Sequence, residues 1–332
     1  MKANSTTSYS IRPLIRRIHR RQAAPLAALA LFLPVLSHAG GPARLPDARV
    51  TAGHVYTSAI HEAKADLYLA YANANNLVTA TARAAARSQA GSDYKEAVAT
   101  AREQLVARRE LSEELNENRY SPVVDPANFL SVQEIVASPN PFFPLTPGKT
   151  RHYRATTDEG IETVDVQVTH QTRVILGVTC VVVRDIVKLD GQLVEDTLDW
   201  YAQDRAGNVW YFGERVADYD EDGLIVSVDG SFEAGQESAL PGIIMPAQPT
   251  VGRAFRQEFF LADAEDAARV KSLTETVTVP AGTYANCLKT EDFTPIEPDV
   301  LEEKYYAAGI GNVLSVNVES GKRSELISIT TP

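Results

Sequence analysis

The chain has 332 residues, 44% of them hydrophobic, and a formal net charge of −11, which is typical of a globular protein with one large or two small cores. The acidic excess disfavours binding to nucleic acid and to anionic lipid. The sequence contains no Gly-x-Ser-x-Gly elbow, His-Glu-x-x-His helix or Walker loop, which excludes the easily recognised hydrolases, zinc proteases and nucleotide enzymes.

The first 39 residues have the parts of a secretory signal peptide in the expected order. Residues 1 to 22 carry six basic side chains and no acidic one, residues 23 to 36 are apolar, and Ser37-His38-Ala39 suits cleavage after Ala39. The apolar run is shorter than the roughly 20 residues of a membrane-spanning helix. An uncleaved anchor is the alternative, and two prolines within the run count against it.

Cleavage predicts a periplasmic or secreted protein with no integral membrane span. Six of the 32 basic residues and none of the 43 acidic residues are removed, so the net charge falls from −11 to −17. A surface of this charge also keeps a secreted protein dispersed. The new N-terminus would be Gly40, which begins a segment, residues 40 to 55, that we expect to be extended.

Residues 56 to 118 are predicted to form an α-helical hairpin. Apolar side chains such as Ile60, Ala63 and Leu67 recur three and four residues apart, the period of an amphipathic helix. The stretch from Ser88 to Asp93 interrupts the pattern, so the second helix is expected to begin there. Alanine-rich seams allow close approach, so the hairpin is expected to pack on itself, on the following domain or, by self-association, on a second copy.

Residues 119 to 148 are predicted to be a linker that docks through its aromatic side chains, because prolines at 139, 141, 144 and 147 exclude a helix there. From 149 to 332 the apolar period becomes two, as in Val164, Val166 and Val168, and turn signals separate the runs. Strands joined by short turns form antiparallel hairpins. The predicted fold class is therefore α+β, with an N-terminal α-hairpin followed by an antiparallel β-meander.

Four landmarks occur twice in the same order within residues 149 to 332. The first set is Gly177, Cys180, Trp200-Tyr201-Ala202 and Gly207-Asn208-Val209. The second set is Gly282, Cys287, Tyr305-Tyr306-Ala307 and Gly311-Asn312-Val313. This similarity indicates duplication, and we predict two repeated half-barrel-like sheets that enclose or flank one cavity.

Cys180 and Cys287 are the only cysteines of the chain. In an oxidising compartment such a pair is a candidate disulfide. The alternative is that they are two small buried side chains that never meet.

Several segments resemble those of a family of secreted bacterial proteins. They are Asn140 to Gly148, Trp200 to Asp204, Gly207 to Glu214 and Ala264 to Asp266. This likeness covers roughly residues 121 to 330 and implies no activity. The paired Tyr-Tyr-Ala and Gly-Asn-Val pattern is more distantly similar to the half-barrel lipoprotein carriers LolA and LolB, which implies a ligand-enclosing sheet. The chain departs from a lipoprotein because residue 40 is Gly and not the lipidated Cys.

Acidic side chains lie beside aromatic ones in the predicted strands. Five are candidate catalytic residues, since burial can raise the pKa of one carboxyl of a pair: Asp199, Glu214, Glu258, Glu265 and Asp266. Six aromatic residues are candidate ligand contacts: Trp200, Tyr201, Trp210, Phe212, Tyr305 and Tyr306. The alternative is a set of ordinary strand aromatics beside solvated acids.

The segment from Asp218 to Asp229 is similar to a calcium loop. Asp218, Asp220, Asp222 and Asp229 are the candidate ligands, with Gly223 at the sixth position. The alternative is an acidic hairpin turn at Asp222-Gly223. His54 and His61, seven residues apart, are a weaker metal candidate, with solvated helix residues as the alternative.

Three functions are compatible with these features. The first is an exported binding protein, without cofactor, that holds an apolar or amphipathic molecule or a carbohydrate in a β-sheet cavity and catalyses no reaction. The second is a secreted hydrolase or lyase with paired carboxylates beside Trp200 and Trp210, which requires two candidate acids within about 10 Å in a cleft. The third is a calcium-dependent surface or assembly module.

Overall fold

The computed structural model describes residues 48–331. The predicted signal peptide, its cleavage site and the first residues of the mature chain lie outside this range. The fold class is confirmed: a pair of helices precedes a large antiparallel sheet.

The helical hairpin consists of α1 (Ala48–Asn75) and α2 (Ala80–Glu114). Residues 48–55, which we expected to be extended, form the first two turns of α1. The break between the helices lies at residues 76–79 and not at 88–93, because the Thr79 hydroxyl accepts a hydrogen bond from the Ala82 amide (3.1 Å) and caps α2.

The stretch from Ser88 to Asp93 stays helical because its polar groups are satisfied within the helix. The Gln89 amide donates to Asp93 (2.7 Å) and the Ser92 hydroxyl donates to the Ser88 carbonyl (3.2 Å), each one turn away. A composition that is typical of a loop thus continues the helix.

The two helices pack on each other through alanines. Ala52, Ala63 and Ala74 of α1 and Ala90 and Ala101 of α2 are buried, each 11 residues from the next on its helix. Eleven residues make three turns, so the buried stripe runs almost straight along each helix. Among residues 48–331, no helix combines the length and the apolar composition that a membrane crossing requires.

Ion pairs attach the end of α2 to the sheet. Arg108 forms a bidentate salt bridge with Glu265 (2.8–3.0 Å), and both side chains are buried. Glu114 accepts two hydrogen bonds from Arg269 (2.6 Å each). None of the three hydrophobic clusters of the described chain contains a residue of α1 or α2. The hairpin is therefore joined to the sheet mainly by polar contacts.

The predicted linker contains two short helical elements, a 3₁₀ turn at Pro126–Asn128 and α3 at Val132–Ala137. Ser131 and Glu134 form a capping box at the start of α3. As the prolines predicted, the part from Pro139 to Pro147 contains no helix. Its aromatic residues Phe142 and Phe143 pack against the largest hydrophobic cluster.

Fifteen strands follow, all paired antiparallel. They are β1 (Thr150–Thr157), β2 (Gly160–Ile175), β3 (Val178–Leu189), β4 (Gln192–Gln203), β5 (Val209–Tyr219), β6 (Ile225–Ser227), β7 (Phe232–Glu233), β8 (Leu240–Met245), β9 (Ala254–Arg256), β10 (Glu258–Phe259), β11 (Ala267–Val279), β12 (Gly282–Phe293), β13 (Leu301–Ala307), β14 (Gly311–Asn317) and β15 (Arg323–Thr330).

The strands form one continuous sheet. Thirteen of them follow the order β10-β8-β5-β4-β3-β2-β1-β15-β14-β13-β12-β11-β9, and β6 and β7 each pair with β5. Only Gln257 separates the two end strands, β9 and β10, so the sheet closes on itself. Gly242 of β8 permits this closure, since a Cβ there would lie 2.3 Å from the carbonyl carbon of Gln257.

The predicted repeats belong to this single sheet. Both cysteines lie on the second strand of a four-strand meander, Cys180 in β2–β5 and Cys287 in β11–β14. The two Tyr-Ala landmarks lie on the third strand of each meander, and the Gly-Asn-Val landmarks lead into the fourth. The duplication itself stays a prediction.

Candidate functional site

A cavity of about 70 Å³ lies against one face of the sheet. Its wall comes from the linker and from β1–β4, β8, β13 and β14, and consists of Phe143, Leu145, Arg151, Tyr153, Val166, Val168, Val183, Asp185, Asp199, Tyr201, Ile244, Lys304, Tyr306, Gly311 and Asn312. At roughly 10–15 Å³ for each water-sized group, this space holds about five such groups. It accommodates a small molecule and not a long acyl chain.

Strand alternation brings the wall together. Arg151 and Tyr153 are two residues apart on β1, as are Val183 and Asp185 on β3. Side chains at such positions project from the same face of a sheet. Polar and apolar side chains thus alternate along the cavity, which gives it an amphipathic lining.

Arg151 is a buried cation in this wall. Its Nε donates to the Ile310 carbonyl (2.6 Å) and its Nη2 donates to the Pro144 carbonyl (3.0 Å). Burial lowers the pKa of Arg151. Within residues 48–331, no carboxylate forms a salt bridge with this side chain, so two neutral carbonyls are its only hydrogen-bond acceptors.

Lys304, the second cation of the wall, has a different environment. Its Nζ lies 3.1 Å from Asp292 and 3.3 Å from Glu302. Burial alone would lower the pKa of Lys304, but these two carboxylates outweigh it and raise the pKa. Lys304 therefore stays protonated, and its positive charge is balanced by Asp292 and Glu302 of the protein itself.

Two carboxylates, Asp185 and Asp199, also line the cavity. Asp199 is paired with Val183 and Asp185 with Thr197, which makes the two acids diagonal neighbours on β3 and β4. Diagonal neighbours in an antiparallel pair are about 7–8 Å apart. The Tyr211 hydroxyl donates to Asp199 (2.8 Å) and fixes its orientation.

The candidate catalytic acids divide into two groups. Asp199 and Glu214 are cross-strand partners on β4 and β5, and Asp199, Glu214 and Glu258 all raise the pKa of Tyr211, although burial is the largest cause of that increase. Asp266 belongs to the same region, because Glu214 contributes to its raised pKa, after burial and the nearby Asp292.

Glu265 belongs to a different environment, since it holds Arg108 of the hairpin. Of the five candidates, Asp199 alone is part of the cavity wall.

The candidate aromatic residues are also divided. Tyr201 and Tyr306 line the cavity, and Tyr201 stacks on Tyr211 with ring centroids 4.8 Å apart. Trp200 and Phe212 belong to a separate cluster, with Trp210 packed against it. That cluster is centred on Phe129, whose ring contacts those of Trp210 and Phe212.

Tyr305 is the remaining candidate aromatic. Its hydroxyl donates to Glu303 (3.0 Å) and Lys289 lies 5.2 Å from its ring centroid. It is absent from the cavity wall.

The acidic segment after β5 forms a hairpin turn. Asp220 accepts hydrogen bonds from the amides of Asp222 (3.0 Å) and Leu224 (2.9 Å), and Gly223 has a φ of 76°. Asp218 is paired with Ser227 across the hairpin, and Asp229 is exposed. Within the described chain, no group of three or more His, Cys, Asp or Glu side chains is placed to hold a metal ion, so the calcium hypothesis gains no support.

The two thiols are free, and the disulfide considered from the sequence is not formed. Cys180 is buried with Trp200 and Phe212, and Cys287 is buried in another cluster with Tyr153 and Leu326. The two cysteines are separated because Cys180 lies on β3 of the first meander and Cys287 lies on β12 of the second. His54 and His61 are exposed on α1.

Four polar residues of the cavity wall were not among the predicted site residues: Arg151, Asp185, Lys304 and Asn312. Each is a polar residue at a position that strand alternation directs inward. Asp185, for example, follows three consecutive valines at 181–183. The signal in the sequence is a polar side chain at an inward-facing strand position. This signal does not indicate which of these side chains lie close together.

The segments that carry the family likeness contact one another. The Asn140 side-chain oxygen accepts hydrogen bonds from the backbone N–H groups of Phe142 and Phe143, and its side-chain nitrogen donates to the Gly207 carbonyl (2.9 Å). The backbone N–H of Asn140 donates to the Gln203 side-chain oxygen (2.8 Å). They therefore fasten the linker onto the β4–β5 turn. Comparisons of the chain with known protein families, with curated proteins and with solved structures gave no match.

Proposed function

We propose that the protein is an exported, non-catalytic binding protein whose sheet holds a small amphipathic molecule. The observation that carries this proposal is the mixed lining of the cavity, in which Val166, Val168 and Ile244 share one space with Arg151 and Asn312. Ligand pockets combine such apolar walls with a few fixed polar groups. The linker contributes Phe143 and Leu145, so the Pro-rich segment is part of the site.

The size of the cavity restricts the ligand. A space for about five water-sized groups matches a molecule much smaller than an acyl chain or a hexose ring. The ligand class that fits is a compact molecule with one apolar part and one polar end.

Native mass spectrometry of the protein purified from its own host tests this proposal. The expected result is a bound molecule of low mass in the wild-type protein, lost in Val168→Phe, which fills the cavity. Val174→Phe is the matched control, because Val174 lies on the same strand and is 66% exposed. It should retain the molecule.

The proposal fails if the folded wild-type protein carries no molecule and no small compound raises its melting temperature. It fails equally if Val168→Phe and Val174→Phe retain the molecule to the same extent. Near-ultraviolet circular dichroism of both variants confirms that each is folded before ligand content is compared.

A second candidate function, a hydrolase or lyase, is favoured by one observation. Asp185 and Asp199 line the same cavity and are diagonal neighbours on β3 and β4, so two carboxylates face one space, as in carboxylate-pair enzymes. This function predicts that the protein converts its bound molecule and that Asp199→Asn stops conversion without preventing binding. Recovery of the molecule unchanged after prolonged incubation would contradict it.

A further inference from the structure

Resting on the proposed binding function, we infer that the ligand is a small carboxylate with a hydroxyl or amino group beside the carboxylate, and that Arg151 binds its charged end. The ligand class follows from two buried groups of the wall, a cation without a carboxylate and a carbonyl oxygen without a donor.

The first group is the Arg151 guanidinium. An arginine does not lose its proton in proteins, and a buried charge without a counter-ion is costly. The only partners of Arg151 in the described chain are the Ile310 and Pro144 carbonyls, which are neutral. An anion in the cavity would neutralise this cation, and the planar fork of arginine matches a carboxylate.

The backbone beside Arg151 is shaped to leave room for it. A Cβ on Gly311 would lie 3.1 Å from the Arg151 Nε and 3.2 Å from its Nη2, and Gly311 has a φ of 98° that other residues rarely adopt. The guanidinium therefore occupies a defined place in the wall.

The comparison with Lys304 assigns the anion to Arg151 and not to the second cation of the wall. Lys304 lines the same space, but Asp292 and Glu302 already neutralise it. A second anion there would meet two carboxylates. Arg151 is thus the cation to which a ligand carboxylate binds.

The second group is the Asn312 side chain, 8% exposed, whose Oδ1 has no hydrogen-bond partner. Its Nδ2 reaches the Leu314 carbonyl only at 3.4 Å. A buried acceptor needs a donor. A hydroxyl or amino group next to the carboxylate supplies one, and such a molecule of five or six heavy atoms matches the cavity volume.

Calorimetry with defined probes tests this inference: lactate and alanine, with propionate lacking the donor and lactamide lacking the charge. Lactate or alanine should bind, lactamide should bind at least about 30-fold more weakly, and propionate should fall between them. Arg151→Met should weaken binding of the carboxylate by at least about 30-fold, while Arg151→Lys retains part of it.

A second variant keeps the inference testable if Arg151→Met does not fold. Asn312→Asp places a negative charge in the wall that Arg151 also lines, so it should raise the melting temperature while abolishing lactate binding. A purely structural role of Asn312 would not link these two effects in opposite directions.

The inference is overturned if lactamide binds as tightly as lactate, or if Arg151→Met or Asn312→Asp leaves lactate binding unchanged. Failure of the two proposals is distinguishable. A neutral co-purified molecule displaced by Val168→Phe would contradict the carboxylate alone, whereas a cavity that takes no molecule at all contradicts the binding function.

Discussion

Arg108 and Glu265 form a buried ion pair and are not part of the cavity wall. Their side chains are 6% and 2% exposed, and the Glu265 carboxylate also accepts a hydrogen bond from the Ala262 amide (2.8 Å). Removing one partner of a buried pair leaves the other charge desolvated. Arg49 and Glu113 form an ion pair at a similar distance (2.7 Å), but their side chains are 64% and 60% exposed.

Arg108→Ala should therefore destabilise the protein by about 3–5 kcal/mol, because Glu265 is left buried without its cation. Arg49→Ala should change the free energy of unfolding by no more than about 1 kcal/mol, since exposed pairs are screened by water. Urea unfolding followed by tryptophan fluorescence measures both. Equal effects of the two substitutions would mean that the hairpin is not held through Glu265.

Asp266 gives stability a dependence on pH. Burial raises its pKa well above the ordinary 3.8, with the nearby Asp292 and Glu214 acting in the same direction. Above about pH 4 the unfolded chain loses this proton while the folded protein keeps it, so stability falls as pH rises toward the folded-state pKa. Below about pH 4 Asp266 is protonated in both the folded and the unfolded chain, so it no longer destabilises the fold.

Asp266→Asn should raise the free energy of unfolding at neutral pH and flatten its decline above pH 4, because an amide cannot ionise. Denaturant unfolding at a series of pH values measures the slope. Asp158→Asn, at an exposed turn position, is the control and should leave the slope unchanged. A steeper decline in Asp266→Asn than in the wild-type protein would contradict the assignment.

At the scale of elements, alternation and period predicted most of the fold. The switch from helical period to strand period after Gly148 separated hairpin from sheet, and Val164, Val166 and Val168 identified one strand face. The helix break was misplaced because the polar groups from Ser88 to Asp93 bond within the helix. Nothing local distinguishes that arrangement from a loop.

The cavity was harder to predict, since it depends on which strands become neighbours. Arg151 lies on β1 and Lys304 on β13, and only β15 and β14 between them bring the two into one wall. This pairing joins the start of the sheet to its end across more than a hundred residues. A sequence pattern assigns a side chain to a face but not to a distant partner.

Gly242 is expected to be the residue on which closure of the sheet depends. Gly242→Ala would place a Cβ against the backbone of Gln257 and Glu258 and should cost about 3 kcal/mol or more.

Gly91→Ala is the matched control. Gly91 lies inside α2, where an added Cβ would meet nothing within 4 Å, so this substitution should stabilise the protein by about 0.5–1 kcal/mol. Thermal unfolding of both variants should give melting temperatures that shift in opposite directions, and a neutral Gly242→Ala would mean that β8 and β10 are not in close contact.

At the scale of the molecule, the hairpin is an arm attached at one end. Along α2, the hydrogen bonds to described residues outside the hairpin begin at Gln104, whose side-chain amide donates to the Ile296 carbonyl (2.8 Å) in the loop after β12. Residues 80–103 precede that contact and extend about 36 Å as a helix. Tyr68, Leu69 and Val78 are exposed on this part of the hairpin, and self-association through it stays a prediction.

Small-angle X-ray scattering of the chain that remains after the predicted cleavage, which removes 39 of the 332 residues and leaves 293, should therefore give a radius of gyration several ångström above the roughly 19 Å of a compact chain of that length. Extrapolation to zero concentration separates an elongated monomer from a dimer, because forward scattering reports mass independently of shape. If the mass doubles with concentration and Leu69→Lys reverses the change, the arm is also the surface on which copies associate. A monomer with a radius near 19 Å would instead require the hairpin to lie along the sheet. A hairpin lying along the sheet would cover its apolar side chains. In the structure the buried alanines lie between the two helices, and Tyr68, Leu69 and Val78 near the α1–α2 turn are exposed.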